Sequence, residues 1–352
     1  MAYFFERPDI TKLTTSQQAA LNELDAVAIS GGPGTGKSLI SLWRHIINYD
    51  MGRSRSLLLT YTKTLEAYFK LFTISINKEA GNAISRTYLW TQNNKHDEQH
   101  YDEIIVDEAQ DVDKNKYLII KQHTKIVSYT ADDQQILYPE HATTQMQLAE
   151  ILPNNKNYML DDNFRNSYHI LLFVKALFPN KVISQTMIDA VRDSGDDRIG
   201  NKPIIISLNN KLNKQGEQVV RIINRFKTPT HNIGILVPFV NDVFSYANLL
   251  QESGFQFSSY PSDVNVDLEI CNIENIHITT FKSAKGAEFH TVIIPNFHDM
   301  LYNISNMRVV DDNDYYVAIT RARNNLFLIC KWKPIFLERS NAQKSTYDVE
   351  LV

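Results

Sequence analysis

Apolar positions along the chain follow two alternating rhythms. Short β-branched runs bounded by turn residues give way to longer stretches whose apolar residues recur every three or four positions. In the first half, residues 25–30 (DAVAIS) precede GKSLISLWRHIINY, and residues 56–62 (SLLLTYT) precede KTLEAYFKLF. Residues 103–109 (EIIVDEA) and 125–132 (KIVSYTAD) follow. Apolar runs separated by helical patterns predict parallel strands joined by crossover helices. The pattern then restarts. Residues 202–209, 232–239, 276–281, 291–296 and 325–332 read as strands. KQGEQVVRIINRF and NDVFSYANLLQESG read as helices, the second stopping at Gly254. Residues 191–203, polar and with two glycines, read as a long loop. The restart predicts two α/β domains, residues 1–158 and 159–352, divided near Met159.

Composition narrows the class. Apolar residues make up 43% and charged residues 22%, enough core for two folded domains and too little charge for extended disorder. The net charge of -4 does not advertise a nucleic-acid binder, although a whole-chain sum can hide a basic stripe. The two cysteines, Cys271 and Cys330, are far apart and each sits in an apolar run. They read as small buried hydrophobes in a reducing compartment, with neither a disulfide framework nor a metal site. Glu6, Arg7 and Pro8 come too early for a signal peptide, and no apolar run is long enough to span a membrane. A soluble cytoplasmic protein is expected.

The chemistry begins at GGPGTGKS, which fits G-x-x-x-x-G-K-[ST] with Gly31, Gly36, Lys37 and Ser38 in the fixed places. Gly32, Pro33, Gly34 and Thr35 fill the loop between. Its glycines let backbone N–H groups converge on an anion. Lys37 supplies a point charge for the terminal phosphates, and Ser38 can ligate Mg²⁺. A strand before and a helix after give the required context. The second half of such a site is a strand ending in carboxylates, supplied by IIVDEAQD. Asp107 is placed to hold Mg²⁺ through water, and Glu108 to orient and deprotonate the attacking water.

With both motifs placed, the chain resembles superfamily-one helicases of the UvrD/Rep/PcrA type. An ordered series of motifs over nearly the whole chain carries the resemblance. LTTSQQAAL resembles the adenine-reading motif, making Gln17 the adenine reader; LLLTYTK resembles the segment that touches single-stranded DNA, through Tyr61, Thr62 and Lys63. ADDQQILY resembles GDxxQ, putting Gln135 near the γ-phosphate. LDDNFRNS resembles LxxNYRS, with Phe164 on the adenine and Arg165 on the γ-phosphate. TTFKSAKGAEF places Lys282 where the family has a DNA-facing His and Glu288 near the ribose and γ-phosphate. YVAITRARNNL supplies Arg321 as the second arginine. The resemblance implies two RecA-like domains, each a mostly parallel sheet flanked by helices, with ATP in the cleft between them. Hydrolysis would open that cleft, and movement along DNA would run 3′ to 5′.

The departures bear on function. About forty residues separate LLLTYTK from IIVDEAQD, room for a helix or two and a loop. The gap before IHITTFKSAKG is also short, so both accessory insertions of the family are absent. Glu140 stands where the family places a base-stacking aromatic. Tyr61 reads equally as a packed strand-end aromatic or as a base-stacking contact. The acidic run DDNDYY, residues 311–316, reads as a solvated face. Two functions follow: an ATPase stimulated by single-stranded DNA that translocates, or an ATP-driven switch serving a partner such as a nuclease in phage defence. An inert scaffold is disfavoured, because every residue needed for hydrolysis is present.

Overall fold

The computed structural model describes residues 3, 10–52, 55–94, 100–260, 273–297, 310–333, 337 and 344–352. Cys271 lies outside them. The chain divides into two compact units, Phe5–Asn163 and Phe164–Val352, the second also taking in Met1–Phe4.

The first unit is built on strands β1 (Val27–Gly31), β2 (Leu57–Thr60), β3 (Ile84–Arg86), β4 (Ile104–Val106), β5 (Val127–Ala131) and β6 (Lys156–Leu160). They form one parallel sheet in the order β3-β2-β4-β5-β1-β6. Its helices are α1 (Thr15–Asn22), α2 (Lys37–Asp50), α3 (Lys63–Ile74), α4 (Lys78–Asn82), α5 (Thr87–Asn93), α6 (Lys114–His123) and α7 (Gln145–Ile151). The strand period of two sends alternate residues to opposite layers. Leu58 and Ile105 pack with Leu42, Ile46, Leu65, Phe69 and Phe72 of α2 and α3. Leu57, Leu59, Ile104 and Val106 pack with Trp90, Tyr117, Ile120 and Leu148 of α5, α6 and α7.

The second unit holds helices α8 (Tyr168–Leu177), α9 (Gln185–Asp193), α10 (Gln215–Phe226), α11 (Val240–Glu252) and α12 (Asp312–Ile319). Its strands are β7 (Ile204–Ser207), β8 (Ile233–Val237), β9 (Ser258–Tyr260), β10 (Ile276–Thr280), β11 (Phe289–Ile294), β12 (Ala322–Cys330) and β13 (Asp348–Leu351). The sheet order is β13-β7-β12-β11-β8-β10-β9, again with parallel pairs. Val219, Ile222 and Ile223 of α10 and Val243, Tyr246 and Leu250 of α11 bury against Ile206, Ile233, Ile235, Ile278 and Phe327.

Several expectations change. β6 crosses the boundary placed at Met159, because Val27–Gly31 pairs with it through Leu160. Among the described residues, the interval between LLLTYTK and IIVDEAQD holds three helices and β3, more than a helix or two. Residues 191–193 of the expected loop close α9. The acidic run is not a solvated face. Asp311 caps α12, accepting from the N–H groups of Asn313 and Asp314, while Asp314, Tyr315 and Tyr316 are buried. Gly254 has φ +73°, the left-handed conformation of a helix stop. Cys330 is fully buried. Among the described residues no helix is long and apolar enough to cross a membrane.

Candidate nucleotide site

The phosphate loop runs from the end of β1 to the first turn of α2. Gly36 takes φ +89° and opens α2 without a side-chain cap, leaving first-turn N–H groups for an anion. At Gly31, φ is +147° and an added Cβ would lie 2.4 Å from the Leu160 carbonyl oxygen, so only glycine fits. Lys37, almost fully buried, donates through Nζ to the carbonyls of Gly31 (2.6 Å) and Gly32 (2.9 Å) and lies 3.9 Å from Asp132. Thr35 Oγ1 donates to the Gly32 carbonyl. Two residues outside the loop brace it. Gln17 closes the capping box of α1 with Thr14 and donates Nε2 to the Thr35 carbonyl at 3.0 Å. Asn163 donates to the Pro33 carbonyl at 2.8 Å.

The carboxylates stand where β4 ends. Ser38 Oγ donates to Asp107 Oδ2 at 2.9 Å, and Thr130 Oγ1 to Asp107 Oδ1 at 2.5 Å. Burial first, then the Glu108 charge, pushes Asp107 up to about 7, against hydrogen bonds from Thr130 and Ser38 and the Lys37 charge. Glu108 has φ +55° and ψ +44°, rare for a residue with a side chain. Gln110 fixes its carboxylate with a 2.8 Å donation to Oε2 and takes the Asp132 N–H on its own Oε1. Gln135 donates to Asp132 Oδ2 at 2.6 Å. Lys37, Ser38, Asp107, Glu108, Gln110, Asp132 and Gln135 therefore form one connected polar cluster.

Ser38 and Asp107 present hard oxygen donors side by side, which suits Mg²⁺. Among the described residues no three His, Cys, Asp or Glu side chains converge as a metal cage. Mg²⁺ is commonly held by one or two protein oxygens, with substrate phosphates and water completing its shell.

In the second unit, Arg165 Nε donates to Glu288 Oε2 at 3.0 Å and Arg323 Nη1 to Glu288 Oε1 at 3.4 Å. Burial works to raise the Glu288 pKa, yet the charges of Arg165, Arg323 and Arg321 outweigh it and hold the carboxyl below its usual range. Phe164 is 42% exposed, a ring available for stacking. Arg321 lies inside the fold, 1% exposed, donating to the carbonyls of Val317 (2.8 Å) and Ala287 (3.5 Å) and to Thr320 Oγ1. Sequence reading missed Arg323, Asn163 and Gln110. It also missed Tyr3, whose hydroxyl donates to the Glu288 carbonyl and whose ring packs edge-on against Phe289. Lys282 is half-buried, and its charge partly offsets the burial that pushes Asp314 up to about 6.

The residues expected to meet nucleic acid follow β2. Tyr61 packs partly against the first core, its ring 5.9 Å from that of Tyr138. Burial first, and then Asp111, Tyr138 and the exposed Glu140, raise its pKa. Thr62 caps α3, and Lys63 is its first residue. Tyr88, also missed, follows β3 and is 63% exposed, with Lys116 Nζ 4.2 Å above its ring.

Residues 25–229 match the Schlafen group 3 DNA/RNA helicase domain, more than half of the chain. The chain belongs to the Schlafen group 3 DNA/RNA helicase domain family. Residues 262–333 of this Schlafen-type chain match the UvrD-like helicase C-terminal domain. A protein of Acanthamoeba polyphaga mimivirus named for an ATP-dependent DNA helicase is 26% identical over 249 residues, covering 64% of this chain and 34% of that protein. The RecB subunit of the RecBCD enzyme of Chlamydia pneumoniae is 31% identical over 110 residues, 28% of this chain and 9% of RecB. The chain thus spans about a third or less of the length of these relatives. S. cerevisiae Dbp5 bound to RNA and ADP BeF3 superposes with a TM-score of 0.60 at 12% identity, covering 97% of this chain and 90% of Dbp5. Mss116p bound to ssRNA and AMP-PNP gives 0.55 at 14% identity, covering 97% and 74%. The fold is therefore RecA-like in both units.

Proposed function

We propose that this chain hydrolyses Mg²⁺-ATP under stimulation by single-stranded DNA and uses the cycle to close and open its two RecA-like units as a translocase. The connected cluster around Lys37, Ser38, Asp107 and Glu108 carries this reading. Lys37 exchanges the Gly31 and Gly32 carbonyls for the β- and γ-phosphates. Ser38 and Asp107 would hold Mg²⁺, which would supply neutralising charge for the phosphate oxygens. Glu108, aimed by Gln110, takes the proton of the attacking water, and Gln135 orients the γ-phosphate side of the site. Arg165 is shared with Glu288 until a γ-phosphate competes for it. Phe164 stacks on the adenine, and Gln17 reads it. Arg321 acts in the same step once it leaves the backbone carbonyls it now serves. Loss of the γ-phosphate releases the arginines, an order switch of the kind nucleotide motors use.

The sheet order supports a division of labour. The nucleotide residues follow β1, β4 and β5, whereas Tyr61–Lys63 and Tyr88 follow the neighbouring strands β2 and β3. Tyr61, Tyr88, Lys63 and Lys116 offer stacking rings and positive charge for a single strand, with Lys282 contributing from the second unit. By family resemblance the movement runs 3′ to 5′. A second reading, a switch subunit serving a nuclease or phage-defence partner without unwinding of its own, is favoured by Glu140, an exposed acid close to the Tyr61–Tyr138 pair. ATPase assays with and without single-stranded DNA, on the native chain and Lys37→Ala, separate the two. The first reading expects strong DNA stimulation, loss of that stimulation at high salt, and no turnover in the variant. Turnover indifferent to nucleic acid would favour the switch.

A further inference from the structure

We infer that the second unit carries a separate site for a phosphate monoester, in a cavity between the starts of α8, β7 and β13 and the end of α10. The cavity measures about 240 Å³ and is lined by His169, Asn201, Lys202, Arg225, Asn325 and Asp348 among others. None of these belongs to the nucleotide cluster. Its floor is fixed. Asn201 donates Nδ2 to Asn325 Oδ1 at 2.6 Å, and Asn325 in turn donates to Thr291 Oγ1 at 3.0 Å. Gly200 (φ +65°) lies so close to Ser167 that an added Cβ would stand 2.2 Å from its Oγ. The walls are cationic and uncommitted. Among the described residues neither Lys202 nor Arg225 has a side-chain hydrogen bond or ion pair, and Arg225 only lies over the ring of Phe226. The Nδ1 of His169 is buried without a hydrogen-bond partner. Asp348 is the one acid of the lining, and with Lys202 it is near enough to act on the His169 ring.

Two cations match the charge of a monoester, about -1.5 to -2 at neutral pH, better than the single charge of a backbone diester. The volume falls below the roughly 300–1,000 Å³ of drug-sized pockets, so the occupant is a small phosphorylated group. Asp348 then accepts a hydroxyl or amine carried by the same ligand. Both a phosphorylated small molecule and a phosphorylated nucleic-acid end present this chemistry.

The test uses the full chain with Lys37→Ala, so that the phosphate loop does not respond. Inorganic phosphate is titrated against chloride at matched ionic strength, and thermal unfolding is followed. Binding to the folded state is expected to raise Tm by about 2–4 °C. Adding Lys202→Gln and Arg225→Gln should abolish the rise, and Arg225→Gln alone, at an exposed position, should weaken it. No rise in the Lys37→Ala chain, or a rise that survives both glutamines, overturns the site. A dinucleotide with and without a 5′-phosphate then distinguishes the sources. Response to the phosphorylated form alone supports capture of a nucleic-acid end. Response to inorganic phosphate but to neither dinucleotide supports a small molecule. Equal response to both dinucleotides contradicts the monoester assignment. In the otherwise native chain, the two glutamines should leave ATP turnover unchanged; a loss would fold the cavity into the ATP site and defeat its independence.

Discussion

At the scale of single residues, Asp107 is the most informative side chain. Its carboxyl is buried beside Glu108 and pushed up to about 7. A folded-state pKa above the ordinary value stabilises the ligand-free fold at low pH, and that contribution is lost as pH rises through about 7. Asp107→Asn removes the titration. The Tm of the ligand-free variant should exceed that of the native chain at pH 8, and the difference should shrink toward pH 5, as scanning calorimetry can check. ATP turnover in the same variant should fall. A variant no more stable than the native chain at pH 8 would mean that Asp107 is not held against its own charge. The grouping of Lys37, Ser38, Asp107 and Glu108 was legible in the sequence because each motif sets contiguous residues at a strand end. Gln110, Asn163, Arg323 and Tyr3 were not. Each acts on a partner chosen by the fold, such as Asn163 on the Pro33 carbonyl across 130 positions of chain.

At the scale of elements, α2 is tied to the sheet by a buried polar network. Arg44 pairs with Glu103 at 2.7 Å, and Asn48 and Ser128 each donate to Glu103 at 2.5 Å. Arg44 also donates to the Asp25 carbonyl at 2.8 Å. His45 on the same helix bridges Ser56 and the Ala80 carbonyl, with burial holding its pKa down to about 4, so it stays neutral. Glu103→Ala leaves Arg44 buried without its counter-charge, and should cost about 3–5 kcal/mol in urea unfolding of the first unit. A double replacement of Arg44 and Glu103 by methionine should cost clearly less. Because α2 begins at the phosphate loop, the single variant should also weaken ATP binding. The central strands were legible because they are apolar on both faces. β6 and β13 were not, since edge strands exposed on most positions lack the apolar signal. The acidic run at 311–316 misled for a related reason: a helix cap and a solvated face share a composition and differ only in where the neighbouring tyrosines go.

At the scale of the whole molecule, the proposed cycle requires the phosphate loop of one RecA-like unit and the arginines of the other to act on the same nucleotide. The two-domain plan was legible in the restart of the strand–helix pattern. The state of the arginines was not, because a motif names Arg165 and Arg321 without showing that one is held by a carboxylate and the other by backbone carbonyls. Single-turnover hydrolysis of ATP by Arg165→Ala in the presence of single-stranded DNA tests that requirement most directly, with nucleotide affinity measured alongside. The account predicts a rate lower by about 10³-fold or more, with ATP still bound by the first unit. Hydrolysis at the native rate would contradict it, because the second unit would then have no part in the chemistry.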